Sequence, residues 1–237
     1  MKDKICLIRQ PAGLGDILFS QKIARKLMEQ EYKIIWPVQA EFLWLKQYIN
    51  DINFCSLGEP FLLKEKYSTN NIEKNDNSLI IPLQDADRYF PGICMMDAKY
   101  EFVGLKMDNW QDYLKFNRNK KKEEELLNFL NIKEDDDFVL LNRFYGSPPN
   151  QKACTYLENY NHKLKVVEMN LYNDFTLFDW CGVIERASEI HTVDTSIMYM
   201  MEKLKINAQL FCYSRYQPAY FGFVSHLFKA PWNYVKS

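Results

Sequence analysis

Three clusters of residues in this chain have the types and spacing to do chemistry. The first lies in "RQPAGLGDILF", where Gly13 and Gly15 lead into Asp16 directly after the apolar run Ile5 to Ile8. A strand that enters a glycine turn and leaves as a helix presents free backbone N–H donors, and such turns commonly cradle phosphate. Asp16 runs against that use, because a carboxylate repels phosphate. No third glycine completes a G-x-G-x-x-G pattern, so the turn is poor support for NAD. The plain reading puts Asp16 in a first helical turn, where its charge suits the helix dipole.

The second cluster is "TVDTSIMYMMEKL", in which a buried strand delivers Asp194, Thr195 and Ser196 to the start of a helix. All three types are good helix caps, yet capping needs one of them. Two hydroxyls beside free N–H groups also make a compact anion site, and both readings stay open. The third is "LLNRFYGSPPN", where Arg143 follows a strand and Lys152 lies just beyond. Arg215, after "LFCYS", occupies the equivalent position. An arginine at a strand end can fork onto phosphate oxygens or form an ordinary surface ion pair.

Metal chemistry has few places to go. The six cysteines include no C-x-x-C, the three histidines are scattered, and no zinc-ligand spacing results. Asp85 and Asp87 in "QDAD", after the strand "LIIPL", are the one carboxylate pair that keeps a metal-dependent alternative alive.

These clusters need elements to hold them, and the chain supplies alternating ones. The first half reads as a strand to Ile8, a helix from Ile17 to Gln30, a strand "YKIIWPV", a helix near Glu41 to Ile49, and a strand "LIIPLQD". The polar stretch "KEKYSTNNIEKNDNS" before that last strand reads as a loop, and the aromatic segment after it, to about Leu105, as irregular. A mostly helical stretch, "NWQDYLKFNRNKKKEEELLNFLNI", precedes a restart. There follow strand "DFVLLN", a helix near Ala153 to Tyr160, strand "LKVVEMN", helix "LFDWCGVIERA", strand "EIHTV", helix "SIMYMMEKL" and strand "AQLFCYS". The last stretch, "FGFVSHLFKAPWNYV", reads as helix and extended tail. Strands alternating with helices predict an α/β protein with parallel sheets. Two βα arrays are expected, residues 1 to 112 and 113 to 237, as Rossmann-like domains facing across a cleft.

Composition bounds the function. With 47% apolar residues the chain can build real cores, and a net charge of −1 gives no broad grip on nucleic acid or anionic lipid. Its apolar runs are far shorter than the ~20 residues a membrane helix needs. The N-terminus carries no signal-peptide pattern, so a cytoplasmic protein without a transmembrane segment is expected.

Two of the motifs together resemble the heptosyltransferase-like GT-B glycosyltransferases. The pair is "GLGDILFSQKIARKL" near the start and "CGVIERASEIHTVDTSIMYMMEKL" in the second half. That family carries G-x-G-D-x-L at its N-terminus and, later, a helix, a strand and D-[ST]-G-x-x-H-x-A. This chain departs at Ser196, where the family has glycine, and at Tyr199, where it has histidine. The resemblance implies inverting transfer of a sugar from a nucleotide-sugar donor to a glycan or other hydroxyl acceptor, with no metal and no further cofactor. It makes Asp16 the general base on an N-terminal acceptor domain. Gly13 and Gly15 of the first turn, with Asp194, Thr195 and Ser196 on a C-terminal donor domain, are expected to bind the donor and its diphosphate. Arg143, Lys152 and Arg215 are then candidate phosphate cations, and Glu168 at the end of "LKVVEM" a weaker candidate for the ribose. A non-catalytic nucleotide-sugar-binding protein of the same fold and a nucleotide-sugar epimerase are the alternatives.

Overall fold

The computed structural model describes residues 3–146, 151–158, 160–216 and 218–236. The chain divides into two compact units, Met1–Asn117 and Arg118–Ser237. The division falls after Asn117 rather than after residue 112 because the intervening segment is bonded into the first unit. Arg25 Nε donates to the Tyr113 carbonyl at 2.7 Å, Asn117 N–H donates to the Tyr48 carbonyl at 2.7 Å, and Leu114 is fully buried. Arg118 belongs to the second unit, where its guanidinium bonds Glu123 at 2.5 Å and Glu185 at 2.7 Å.

The first unit is built on strands β1 (Lys4–Ile8), β2 (Tyr32–Val38), β3 (Asn53–Ser56), β4 (Glu73–Asn75) and β5 (Ser78–Ile81). They form one sheet in the order β3-β2-β1-β5-β4. All pairings are parallel except β4 with β5. The runs "ICLI" and "IIWPV" are nearly continuous in apolar residues, as strands buried on both faces must be. Strand β4 lies within the stretch expected to be loop. Its charged residues suit an edge, where they discourage further strand pairing.

Helices of this unit are α1 (Leu14–Phe19), α2 (Gln21–Met28), α3 (Leu45–Tyr48), α4 (Met95–Phe102) and α5 (Trp110–Tyr113). The single helix expected over 17 to 30 is thus two, joined at Ser20. Helix α4 was not legible in the sequence, because its buried positions include a lysine, Lys99, among Met96, Ala98 and Tyr100.

The second unit holds α6 (Lys120–Phe129), strand β6 (Phe138–Asn142), a two-stranded pair β7 (Phe144–Tyr145) and β8 (Lys152–Ala153), and strand β9 (Lys165–Glu168). Then come α7 (Cys181–Arg186), β10 (Glu189–Val193), α8 (Ser196–Met201), β11 (Gln209–Tyr213) and β12 (Asn233–Val235). The sheet order is β12-β11-β10-β6-β9, and every pairing in it is parallel. The helix expected near Ala153 to Tyr160 is only a 3-10 turn, Thr155–Leu157. Aromatic packing replaces it: Tyr145, Tyr156, Tyr160 and Tyr213 lie against Leu141, Cys154, Leu157 and Val193. Residues 147–150 of the expected turn "YGSPPN" lie outside the described residues.

In each sheet the chain crosses once to the other side of its first strand. In the first, it runs outward from β1 to β3, crosses to β4 at the far edge and returns to β5 beside β1. In the second it runs from β6 to β9 and resumes at β10 on the other side of β6. Open α/β sheets bind ligands outside the carboxyl ends of strands at such switch points. The β1/β5 ends carry the Asp16 loop, and the β6/β10 ends carry Arg143 and Asp194. Among the described residues, no helix is long and apolar enough to cross a membrane.

Candidate active site

In the first unit Gly13 adopts φ 79°, a conformation that suits glycine, and opens α1 with Asp16 in its first turn. A Cβ built at residue 13 would run into Asp16 Oδ2 and stand 3.1 Å from Asp16 Cγ. The bare Cα therefore lets the carboxylate fold back over the turn. Gly15 lies inside α1. Asp16 is about a quarter exposed, and its Oδ1 lies 3.2 Å from the Nζ of Lys99, whose side chain is 1% exposed. Lys99 also donates to Gln10 Oε1 at 2.8 Å and to the Leu83 carbonyl at 3.2 Å.

Beside this group, Arg9 and Asp85 form a buried ion pair. Asp85 Oδ1 also lies 3.3 Å from Arg88, and Arg9 donates to Asn70 Oδ1 at 2.9 Å. Asp85 thus spends its oxygens on two arginines, while Asp87 is exposed.

In the second unit, strand β10 leads directly into Asp194, which is 3% exposed. Its Oδ1 accepts the Arg215 backbone N–H at 3.1 Å and its Oδ2 accepts Arg215 Nε at 3.0 Å. Burial pushes the Asp194 carboxyl above its ordinary value, and Arg215 offsets part of that rise. Thr195 is the N-cap residue of α8, but its side chain makes no capping bond. Instead Asn142, at the end of β6, donates from Nδ2 to Thr195 Oγ1 at 3.1 Å and to Thr192 Oγ1 at 2.8 Å. Ser196 is half-buried beside it.

The remaining expected cations are less concentrated. Arg143 is drawn to Glu168 on the neighbouring strand end: Nη2 bonds Oε2 at 3.1 Å, and Nε approaches Oε1 to 2.5 Å without hydrogen-bond alignment. Lys152 is exposed on β8. Tyr199 is buried, with its ring 4.9 Å from that of Phe228, and acts as a packing residue. Sequence reasoning missed Lys99, Gln10 and Asn142. For Lys99 the available signal was a lysine among apolar residues in "MMDAKYEF".

Two βα units built on mostly parallel sheets make this an α/β protein, and its fold is that of the heptosyltransferase-like GT-B glycosyltransferases. The glycosyl transferase family 9 protein from Veillonella parvula DSM 2008 superposes with a TM-score of 0.58 at 11% identity, covering 99% of this chain and 87% of that one. For E. coli ADP-heptose LPS heptosyltransferase II the TM-score is 0.57 at 15% identity, with 98% and 90% covered. The iron-containing dodecameric glycosyltransferase TibC from enterotoxigenic E. coli H10407 gives 0.50 at 10% identity, covering 90% of this chain and 59% of that one. No family model matches the sequence, and no curated protein does.

Proposed function

We propose that this chain is an inverting, metal-independent glycosyltransferase that uses a nucleotide sugar. Asp16 accepts the proton of an acceptor hydroxyl while that oxygen bonds the anomeric carbon. The bond from that carbon to the donor phosphate breaks, and the nucleoside diphosphate leaves with the electron pair. A hydroxyl is a weak nucleophile, and a positioned base contributes about 10²–10⁴-fold. Thr195, Ser196 and Arg215 stabilise the charge gathering on the leaving diphosphate. Arg143 and Lys152 add positive charge nearby, and Glu168 serves the ribose only if its bond to Arg143 opens.

The observation that carries this reading is Asp16 itself. It is a carboxylate at a switch point, in a turn whose charge disfavours phosphate, and it stands in the motif that resembles the family's base. The hydroxyl of Thr195 accepts from Asn142 rather than capping its helix, and its own O–H supports the donor role of the second cluster. Iron in TibC is a property of that protein. Here the one sequence-level carboxylate pair has Asp85 tied to Arg9 and Arg88, which supports a metal-free reaction.

ADP-D-β-D-heptose, the donor in a TibC complex, heads the panel of nucleotide sugars for the test. Release of nucleoside diphosphate together with a thermal shift supports transfer. Binding without release would point to a non-catalytic binding protein. Conversion of the sugar without release would point to an epimerase.

A further inference from the structure

Helix α4 brings a buried cation to a place where an apolar side chain would cost less. Its inward residues are Met96, Ala98, Lys99 and Tyr100, and Lys99 is 1% exposed in the company of groups that are 8% exposed or less. Taking an ammonium out of water is expensive, and a methionine of similar length would fill the same space without that cost. The expense is met by complete pairing. The ammonium has three N–H groups, and it faces Gln10 Oε1, the Leu83 carbonyl and Asp16 Oδ1. Gln10 follows β1 and Leu83 follows β5, the two strands that flank the switch point. Lys99 therefore ties together both strand ends and the glycine-turn carboxylate.

We propose that Lys99 is the positioning residue for Asp16, holding its carboxylate in one orientation so that Oδ2 is presented to the acceptor hydroxyl. The inference rests on Asp16 being the base. The contact falls on Oδ1, while Oδ2 lies over the bare Cα of Gly13. A carboxylate swinging freely would sample several rotamers; one anchored by a buried ammonium keeps the aim that proximity catalysis requires.

Lys99→Met and Lys99→Gln test this, the second retaining a hydrogen-bond donor and carrying the test if the first does not fold. With the donor that turns over in the panel above, kcat should fall by about tenfold or more while donor KM stays near wild type. Added to Asp16→Asn, either change should cost almost nothing further, because Lys99 acts through Asp16. A substrate-free readout separates this inference from the function itself. The ¹³C carboxyl signal of Asp16, assigned by its loss in Asp16→Asn, should move and broaden in Lys99→Met at a fixed pH, as the side chain leaves its single rotamer. An unchanged Asp16 signal, or kcat losses that multiply in the double variant, would overturn the proposal while leaving Asp16 as base. Full turnover by Asp16→Asn would remove the base, and the role of Lys99 with it.

Discussion

Asp194 grips Arg215 twice, once through the backbone N–H and once through Nε, at 3.1 and 3.0 Å. The carboxylate at the end of β10 is thereby committed to an arginine rather than offered to solvent. It sets where the guanidinium of the next strand's loop stands. Phosphate affinity at this site should therefore depend on Asp194 even though its own charge opposes phosphate.

Asp194→Ala frees Arg215 and should weaken ADP binding about ten- to hundredfold, the worth of one charge-assisted hydrogen bond of about 1.5–3 kcal/mol. Asp194→Asn keeps an acceptor for the Arg215 N–H and should lose less. Titration calorimetry with ADP reads both. Equal affinity in wild type and Asp194→Ala would show that the pair only holds the loop.

Asp16→Asn keeps the side chain's shape and removes its proton-accepting charge. Turnover at saturating donor and acceptor should drop by about 10²-fold or more. Donor affinity should stay near wild type. A protein that is less stable and fully active would return Asp16 to a purely electrostatic role at the helix start.

Gly13→Ala combines a positive φ with a side chain aimed at the Asp16 carboxylate. Backbone strain should cost about 1–2 kcal/mol in urea unfolding, with the steric clash added. In an Asp16→Ala background the clash is gone and only the backbone part should remain. Equal losses in the two backgrounds would mean that Asp16 does not rest on residue 13.

Chelation by EDTA should leave turnover intact, and added magnesium or manganese should not raise it. Asp85→Ala should act on stability instead, by about 3–5 kcal/mol, because it strands Arg9 as a buried unpaired charge. Loss of turnover in EDTA that manganese restores would promote Asp85 and Asp87 to metal ligands.

His191 on β10 supplies a pH dependence of stability. Burial holds its imidazole below the ordinary 6.5, against the pull of Glu189 at 3.2 Å. Tyr213 lies at 2.9 Å from Nδ1, Tyr160 packs on the ring, and His162 adds a small push in the same direction as burial. A histidine lowered on folding binds protons more readily when unfolded, so its contribution is complete above pH 6.5 and is lost as pH falls through that value. The urea midpoint of wild type should fall between pH 7 and pH 5 more steeply than that of His191→Gln. Parallel curves would place the acid sensitivity elsewhere.

The sequence by itself determined where strands end and turns begin. Continuous apolar runs such as "ICLI" and "FVLL" are strands buried on both faces. The residues that follow them must emerge at the carboxyl edge, so Asp16, Arg143, Asp194 and Arg215 were legible as edge residues. Local signals did less well where tertiary packing substitutes for propensity. A helix over 153–160 became a 3-10 turn under a layer of tyrosines, and α4 was hidden because an inward lysine breaks its apolar stripe.

Partnership was decided only by the tertiary structure. Nothing near Asp16 in the chain announces Lys99, and nothing near Thr195 announces Asn142. The same holds for the cations: an arginine at a strand end reads identically whether it waits for phosphate or is held by Glu168 or Asp194. Strand topology sets those pairings, because parallel order carries residues far apart in the chain to adjacent ends of one sheet. A charge takes its meaning from the nearest opposite charge in space, and one-dimensional spacing does not contain that distance.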